Sequence, residues 1–124
     1  MNGPVASNLT LLNDLDQIPT GTKVRFLGCV DEYLTKTATL RLVHDYPPSR
    51  PPKVAHVDIQ HILESIKRHE VDVGTWINVI GHVEPSPKSG TPCICVQAVA
   101  VWDAGNVDLD AYQSAVVERK NAGC

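Results

Sequence analysis

The sequence of 124 residues has no long apolar run, few aromatic side chains and no excess of positive charge. No stretch of about 18 apolar residues occurs, so the sequence predicts no membrane-spanning helix. Residues 1–12 lack the basic start and the continuous apolar stretch of a secretory signal. The formal net charge is −3, which argues against binding of nucleic acid by charge alone. We therefore expect a small, soluble, intracellular protein. A chain of this length holds one domain.

The sequence also lacks the residue groupings of metal sites and active sites. The cysteines are Cys29, Cys93, Cys95 and Cys124. They contain one C-x-C pair and no C-x-x-C pair, so they do not predict a zinc site. Reduced, buried thiols suit a non-secreted domain better than disulfides. No phosphate-binding glycine loop, nucleophile elbow or H-E-x-x-H motif occurs, and the acids Asp31, Glu32, Glu70 and Asp72 fall at predicted, solvated turns. We predict no enzyme activity, no cofactor and no metal.

Positive charge is concentrated in one part of the chain. Residues 23–53 carry six basic and three acidic residues, whereas the remainder carries five basic and eleven acidic residues. This distribution suggests a basic surface on an otherwise acidic domain. A mixed, solvated surface is the alternative, because blocks this diffuse also arise by chance.

Period-two alternation of apolar residues predicts five strands. The predicted strands cover about residues 23–31, 37–44, 53–58, 75–84 and 93–102. Gly28 lies inside the first strand and predicts a bulge or a sharp bend there. Gly81 lies inside the fourth strand. Residues 85–92 have the composition of a hairpin loop, and the segment Pro47 to Pro52 predicts a stiff loop or a polyproline ligand for an SH3-type groove.

Two segments have helical periodicity. Ile59, Ile62, Leu63 and Ile66 form one stripe, and Asp58 stands at the N-cap position. Near the C-terminus, Leu109, Tyr112 and Val116 share one helical face, with Arg119 at its edge.

Five strands with a helix between the third and fourth predict an OB-fold, a five-stranded Greek-key barrel, with a C-terminal helix. We predict a single domain over residues 1–124, with the barrel at about 20–103 and the C-terminal helix at about 107–120. The barrel does not need this helix to close its core. The apolar stripe of the helix therefore predicts an interface with another polypeptide; packing on its own barrel is the alternative.

Three stretches of the sequence resemble the fungal form of the smallest subunit of the telomere-capping CST complex, the Ten1 family. The stretches are Leu12-x-x-Leu15-x-x-Ile18-Pro19-x-Gly21-x-Lys23-Val24-Arg25-Phe26-x-Gly28-x-Val30, Trp76-Ile77-Asn78-Val79-Ile80-Gly81-His82-Val83, and Val96-Gln97-Ala98-Val99-x-Val101-Trp102 followed by Val107-Asp108-Leu109 and Tyr112. The resemblance covers Leu9 to Arg119. Each motif alone is common to OB-fold strands, but their combination with the chain length and the terminal helix is more specific.

The resemblance implies a nuclear, telomeric OB-fold adaptor. Its partner would be an Stn1-type OB-fold protein, within a larger complex that has a third subunit and binds single-stranded telomeric DNA. The matching partner-binding positions are Leu109, Tyr112, Val116 and Arg119. The adaptor would stabilise the partner and contribute to telomere capping and replication.

OB-folds bind single strands by stacking bases on aromatic side chains in a basic groove on the second and third strands. The residues placed for this role are Lys36, Arg41, Tyr46, Arg50 and Lys53. Because basic and aromatic residues are few, we expect weak, auxiliary contacts and weak binding by the chain alone.

Three alternative functions remain at the level of sequence. The first is the smallest subunit of a replication protein A-type complex in general replication and repair. The second is a protein-only interaction module that uses the loop from Pro47 to Pro52. The third is a zinc protein.

Overall fold

The computed structural model describes residues 8–46, 53–85, 94–105 and 109–122, and side chains of the last range as far as Val117. The strands are β1 (Asn8–Leu9), β2 (Lys23–Leu34), β3 (Thr39–Val43), β4 (Val54–Asp58), β5 (Trp76–Glu84) and β6 (Ile94–Asp103), and the helix is α1 (Leu109–Ala122). Short 3₁₀ helices lie at Leu12–Gln17, Gln60–Ile62 and Arg68–Val71. Among the described residues, no helix is long and apolar enough to cross a membrane.

Strands β2 to β6 form the closed barrel that the alternation predicted. β2 pairs antiparallel with β3 and with β5, and β3 pairs antiparallel with β4. β6 runs parallel to β4 and antiparallel to β5, which completes the circuit. This order of pairing confirms the five-stranded OB-fold. The two residues of β1 add a parallel pairing to the edge of β2.

The barrel core is built from the inward positions of each strand. On β2, Val24, Phe26 and Val30 are almost completely buried, as the alternation predicted. Leu12 and Leu15 of the first 3₁₀ helix belong to the same core. Residues that precede the barrel strands in the chain therefore contribute to its core.

The segment between β4 and β5 differs from the predicted helix. It forms two 3₁₀ turns in place of one α-helix. Ile59 is fully buried, while Leu63 is 45% exposed. Only part of the predicted apolar stripe is therefore buried. Asp58 does accept a hydrogen bond from the backbone N–H of Gln60, at 2.9 Å, which is the capping role predicted for its carboxylate.

The two strand glycines serve different purposes. A β-carbon on Gly81 would lie 2.4 Å from the carbonyl oxygen of Gln97, and the register between β5 and β6 shifts at this glycine. Gly28 marks no bulge, contrary to the prediction. The irregularity in β2 lies between Val30 and Glu32 instead, and Gly28 is required because Leu42 packs against it.

Candidate docking and nucleic-acid-binding surfaces

Helix α1 packs on the outside of its own barrel. Leu27 points outward from β2, yet it is only 1% exposed. Val116 of α1 is 2% exposed, and neither residue belongs to the core inside the barrel. Two polar contacts hold the helix there. The hydroxyl of Tyr112 donates to the carbonyl oxygen of Thr10 at 3.5 Å, and the side-chain amide of Gln113 contacts the imidazole of His44. The helix thus covers an apolar outer patch of β2.

His44 lies at the centre of this contact. Its side chain is buried, and its Nε2 atom is 3.0 Å from the amide nitrogen of Gln113. The imidazole stands edge-on to the indole of Trp76, with ring centroids 5.3 Å apart, and lies 6.0 Å from the ring of Tyr112. Burial lowers the pKa of His44, against the opposite effects of the Leu27 backbone and Asp45. The neutral imidazole therefore suits this position.

The phenol of Tyr112 is held in the same environment. Burial raises the pKa of Tyr112 to about 12, although the backbone of Leu27 and the charge of Arg25 act in the opposite direction. Because the charge of Arg25 influences the pKa of Tyr112, the guanidinium of Arg25 lies close to the helix. Tyr112 is consequently neutral over the whole physiological range.

The structure places the predicted partner-binding residues Leu109, Tyr112 and Val116 at different depths. Val116 is buried within its own chain, Tyr112 is half-buried with its hydroxyl bonded to Thr10, and Leu109 is half-buried. The side chain of Arg119 lies outside the described part of the chain.

The side of α1 that faces away from the barrel carries small side chains. Ala111, Ser114 and Ala115 are exposed. Next to the helix, the exposed guanidinium of Arg25 lies 5.3 Å from the ring centroid of Trp102 on β6, a cation–π contact. The outer face of the helix and this Arg–Trp pair form a surface that we call the docking face.

Two of the residues predicted to bind nucleic acid, Arg41 and Lys53, have their positive charges partly neutralised by carboxylates of the same chain. Arg41 on β3 contacts Glu32 at 3.0 Å and Asp31 at 3.8 Å. Lys53 contacts Asp16 at 2.9 Å and donates to the carbonyl oxygen of Asn13 at 3.0 Å. Each cation therefore has a carboxylate on its own chain that competes with a phosphate.

The remaining residues of that prediction differ in position. Lys36 is exposed in the turn between β2 and β3, and Tyr46 is half-buried just after β3. Arg50 lies outside the described residues, as does the proline segment from Pro47 to Pro52. Lys36 and Tyr46 thus provide an exposed cation and a partly accessible aromatic ring for a single strand.

The cysteines and acids that the sequence singled out take different positions in the described ranges. No group of three or more potential metal ligands occurs there. Cys29 is half-buried rather than buried as predicted, and burial, aided by Asp31, raises the pKa of its thiol. Glu70 was predicted to be solvated, but it is 4% exposed and accepts two backbone hydrogen bonds, so its role is structural.

The sequence reasoning missed three residues of this region. His44 continues the alternation of the buried residues Leu40 and Leu42. This pattern is a signal that could have identified it as buried. Arg25 was given no role of its own. Trp102 was also given none, and it lies half-buried on the outside under Arg25.

Comparison with known proteins identifies relatives of the whole chain. The family model Ten1, described as "Telomere capping, CST complex subunit", matches residues 1–118. The protein ten1 of Schizosaccharomyces pombe is 27% identical over 117 residues, which cover 93% of this chain and 95% of the relative.

Two solved structures share the fold. The S. pombe Stn1–ten1 complex contains a chain with a TM-score of 0.73 and 24% identity, at 96% coverage of both chains. Replication protein A of U. maydis, bound to single-stranded DNA, matches with a TM-score of 0.63 and 17% identity, covering 98% of this chain and 94% of the other. Both matches place the chain among the OB-folds with a C-terminal helix.

Proposed function

The chain belongs to the Ten1 family of telomere-capping CST complex subunits, and on that premise we propose that it is a non-enzymatic adaptor that binds an Stn1-type OB-fold protein through the docking face. Such a subunit works in the nucleus at chromosome ends, within a larger complex that contains a third subunit. The S. pombe relative is crystallised in a complex with Stn1, which supports a partner of this type.

The observation that carries the proposal is the composition of the docking face. Ala111, Ser114 and Ala115 are small, so the backbone of a second helix can approach α1 closely. Beside them, Arg25 and Trp102 form a pair of the residue types that dominate binding energy at protein interfaces. A flat, small-residue helix next to an Arg–Trp pair suits a helical partner better than a flexible peptide.

The predicted contact residues take two different roles in this proposal. Val116 and Tyr112 fix α1 on the barrel, which holds the docking face in one orientation before the partner arrives. Leu109 and Arg119 lie toward the two ends of the helix and remain proposed partner contacts. A helix held in place loses less conformational entropy on binding than a helix that must first be ordered.

The contribution to single-stranded DNA is auxiliary. We assign Lys36, Arg41, Tyr46, Arg50 and Lys53 to a weak phosphate-binding and stacking surface that acts together with the partner. Because Arg41 and Lys53 are already paired with carboxylates, the chain alone neutralises few phosphates, and its affinity for a single strand is low.

The test is a calorimetric titration of the full chain with the Stn1-type partner. Arg25→Glu removes the cation–π contact and places a negative charge on the docking face, so we expect binding to weaken at least about 30-fold, the size of an interface hot spot. Arg68→Glu is the matched control, since it reverses an exposed charge on the turn before β5. Equal loss for both variants, or no loss for Arg25→Glu, contradicts the proposed docking face.

A further inference from the structure

His44 is the one buried imidazole in the described part of the chain, and it joins α1 to the barrel. It is 3% exposed. Its contacts come from different elements. The ring centroid of Trp76 on β5 lies 5.3 Å from that of His44, and the ring centroid of Tyr112 on α1 lies 6.0 Å away. The amide nitrogen of Gln113 on α1 is 3.0 Å from Nε2 of His44. The imidazole is therefore a bridge across the contact between helix and barrel, and a change in its charge acts on both sides at once.

The contact with Gln113 suits the neutral imidazole. The atom of Gln113 that faces His44 is the amide nitrogen, which donates, and Nε2 of His44 accepts in the neutral tautomer that carries its proton on Nδ1. That Nδ1 atom is buried. A second proton on His44 would turn the acceptor into a donor that faces a donor.

We propose that neutral His44 is a latch that holds α1 on the barrel, and that protonation of His44 releases the helix. The amide of Gln113 can turn over to present its oxygen to the cation, but this rotation does not remove the cost of burying a positive charge. Release of α1 exposes the apolar patch around Leu27 and dissolves the docking face.

The groups around His44 decide how strongly the cation is disfavoured. Asp45 on the same segment and the backbone of Leu27 on β2 favour the charged form, but burial outweighs them and lowers the pKa. From β5 the neutral indole of Trp76 faces the ring, and from α1 the neutral phenol of Tyr112 does so. Arg25 acts on Tyr112 from β2 as a further positive charge. The environment as a whole favours the neutral imidazole.

The direction of the pH dependence follows from linkage. Above pH 6.5, the ordinary pKa of a histidine, His44 is neutral in both the latched and the released state, and pH does not change the equilibrium. Below pH 6.5 the released state binds a proton first. The latching equilibrium then falls about tenfold per pH unit until the lowered pKa of the latched state is reached.

The test is an NMR titration of the full, isotopically labelled chain between pH 7.5 and pH 5. The Cε1–H shift of His44 reports its protonation. Hydrogen-exchange protection factors, corrected for the intrinsic effect of pH, report the opening of α1. We expect the protection of the amides of Tyr112 to Val116 to fall about fivefold from pH 6.5 to pH 5.5, with the midpoint of the His44 shift below pH 6.5. Val57 and Val79 in the barrel should keep their protection.

Two variants sharpen the test. His44→Gln stays neutral at every pH and should remove the pH response of α1. His82→Gln replaces an exposed histidine of β5 and should keep the response. Protection of α1 that does not change with pH, or that changes equally in His44→Gln, overturns the latch. If His44→Gln does not fold, the wild-type titration decides, because a latch requires α1 to open as His44 is protonated.

The functional consequence rests on the proposed docking of a partner, and the experiment separates the two proposals. The opening of α1 is measured on the chain alone, so a failed latch leaves the docking face untouched. If α1 opens below pH 6.5 while the affinity for the Stn1-type partner stays constant, the latch stands and docking through α1 is wrong.

Discussion

Glu70 is the clearest case of a single residue that holds two parts of the fold together. One carboxylate oxygen accepts from the backbone N–H of Lys67 at 2.7 Å, and the other accepts from the backbone N–H of Asp103 at 3.0 Å. These bonds tie the 3₁₀ helix before β5 to the end of β6. Because the side chain is buried, its removal leaves two backbone donors without an acceptor.

We predict that Glu70→Ala lowers the free energy of unfolding by about 1–3 kcal/mol, since two part-buried backbone donors lose their acceptor. Glu70→Gln should cost less, because its amide oxygen still accepts one bond. Urea unfolding of the full chain measures both changes. Glu64→Ala, at an exposed position nearby, is the control, and a loss of the same size in this control would show that Glu70 has no special role.

Residues whose role depends on distant neighbours were the hardest to predict. Glu70 follows charged residues in a polar segment, so the local pattern indicates a solvated turn; only Asp103, far along the chain, makes it a bridge. The strand glycines show the same limit. The sequence alone shows that both glycines lie in strands. What each glycine accommodates depends on a residue of another strand, Gln97 for Gly81 and Leu42 for Gly28, and the local sequence does not reveal these neighbours.

At the scale of elements, alternation predicted the strands well because every barrel strand is buried on one side. The segment after β4 failed because its apolar spacing was taken as sufficient for an α-helix. Its backbone uses bonds across three residues, such as Ile62 N–H to Ile59 at 3.0 Å. The hydroxyl of Ser65 also bonds the carbonyl of Ile62, which competes with helical bonding.

For α1, we predict that Val116→Asp releases the helix from the barrel. Burying a carboxylate at the position of Val116 costs several kcal/mol, and a helix of 14 residues is marginal without tertiary contacts. The far-UV circular dichroism at 222 nm should therefore weaken while the barrel stays folded. Ala115→Asp, at the neighbouring exposed position, should keep the helical signal. A Val116→Asp variant with full helicity and an unchanged melting curve would contradict the packing.

For the face of β3 and β4, we predict that removing the competing carboxylates strengthens binding of a single strand. Asp16→Asn with Glu32→Gln removes the nearest carboxylate from Lys53 and from Arg41, so affinity at low salt should rise several-fold. The salt dependence should steepen by about 0.7 for each new phosphate contact. Fluorescence anisotropy with a labelled oligonucleotide measures both.

The matched control for this prediction changes the net charge equally. Glu64→Gln with Asp72→Asn removes two exposed acids elsewhere on the surface. An equal rise in affinity for both double variants would mean that net charge, and not the carboxylates beside Lys53 and Arg41, sets the binding.

At the scale of the molecule, the sequence was sufficient for the fold and the family but not for the orientation of α1. The stripe of Leu109, Tyr112 and Val116 was correctly identified as apolar. The structure buries Val116 of this stripe within the chain itself. The choice between a partner chain and the chain's own barrel depends on a contact between the two ends of the sequence, which periodicity does not encode.

The account depends on one arrangement: α1 is anchored by its inner side and is available to a partner by its outer side. Hydrogen–deuterium exchange of the full chain, with and without the Stn1-type partner, tests it directly. We predict new protection in α1 and in the segments of β2 and β6 around Arg25 and Trp102, with little change in β3 and β4. New protection confined to β3 and β4, with α1 unaffected by the partner, would contradict the account.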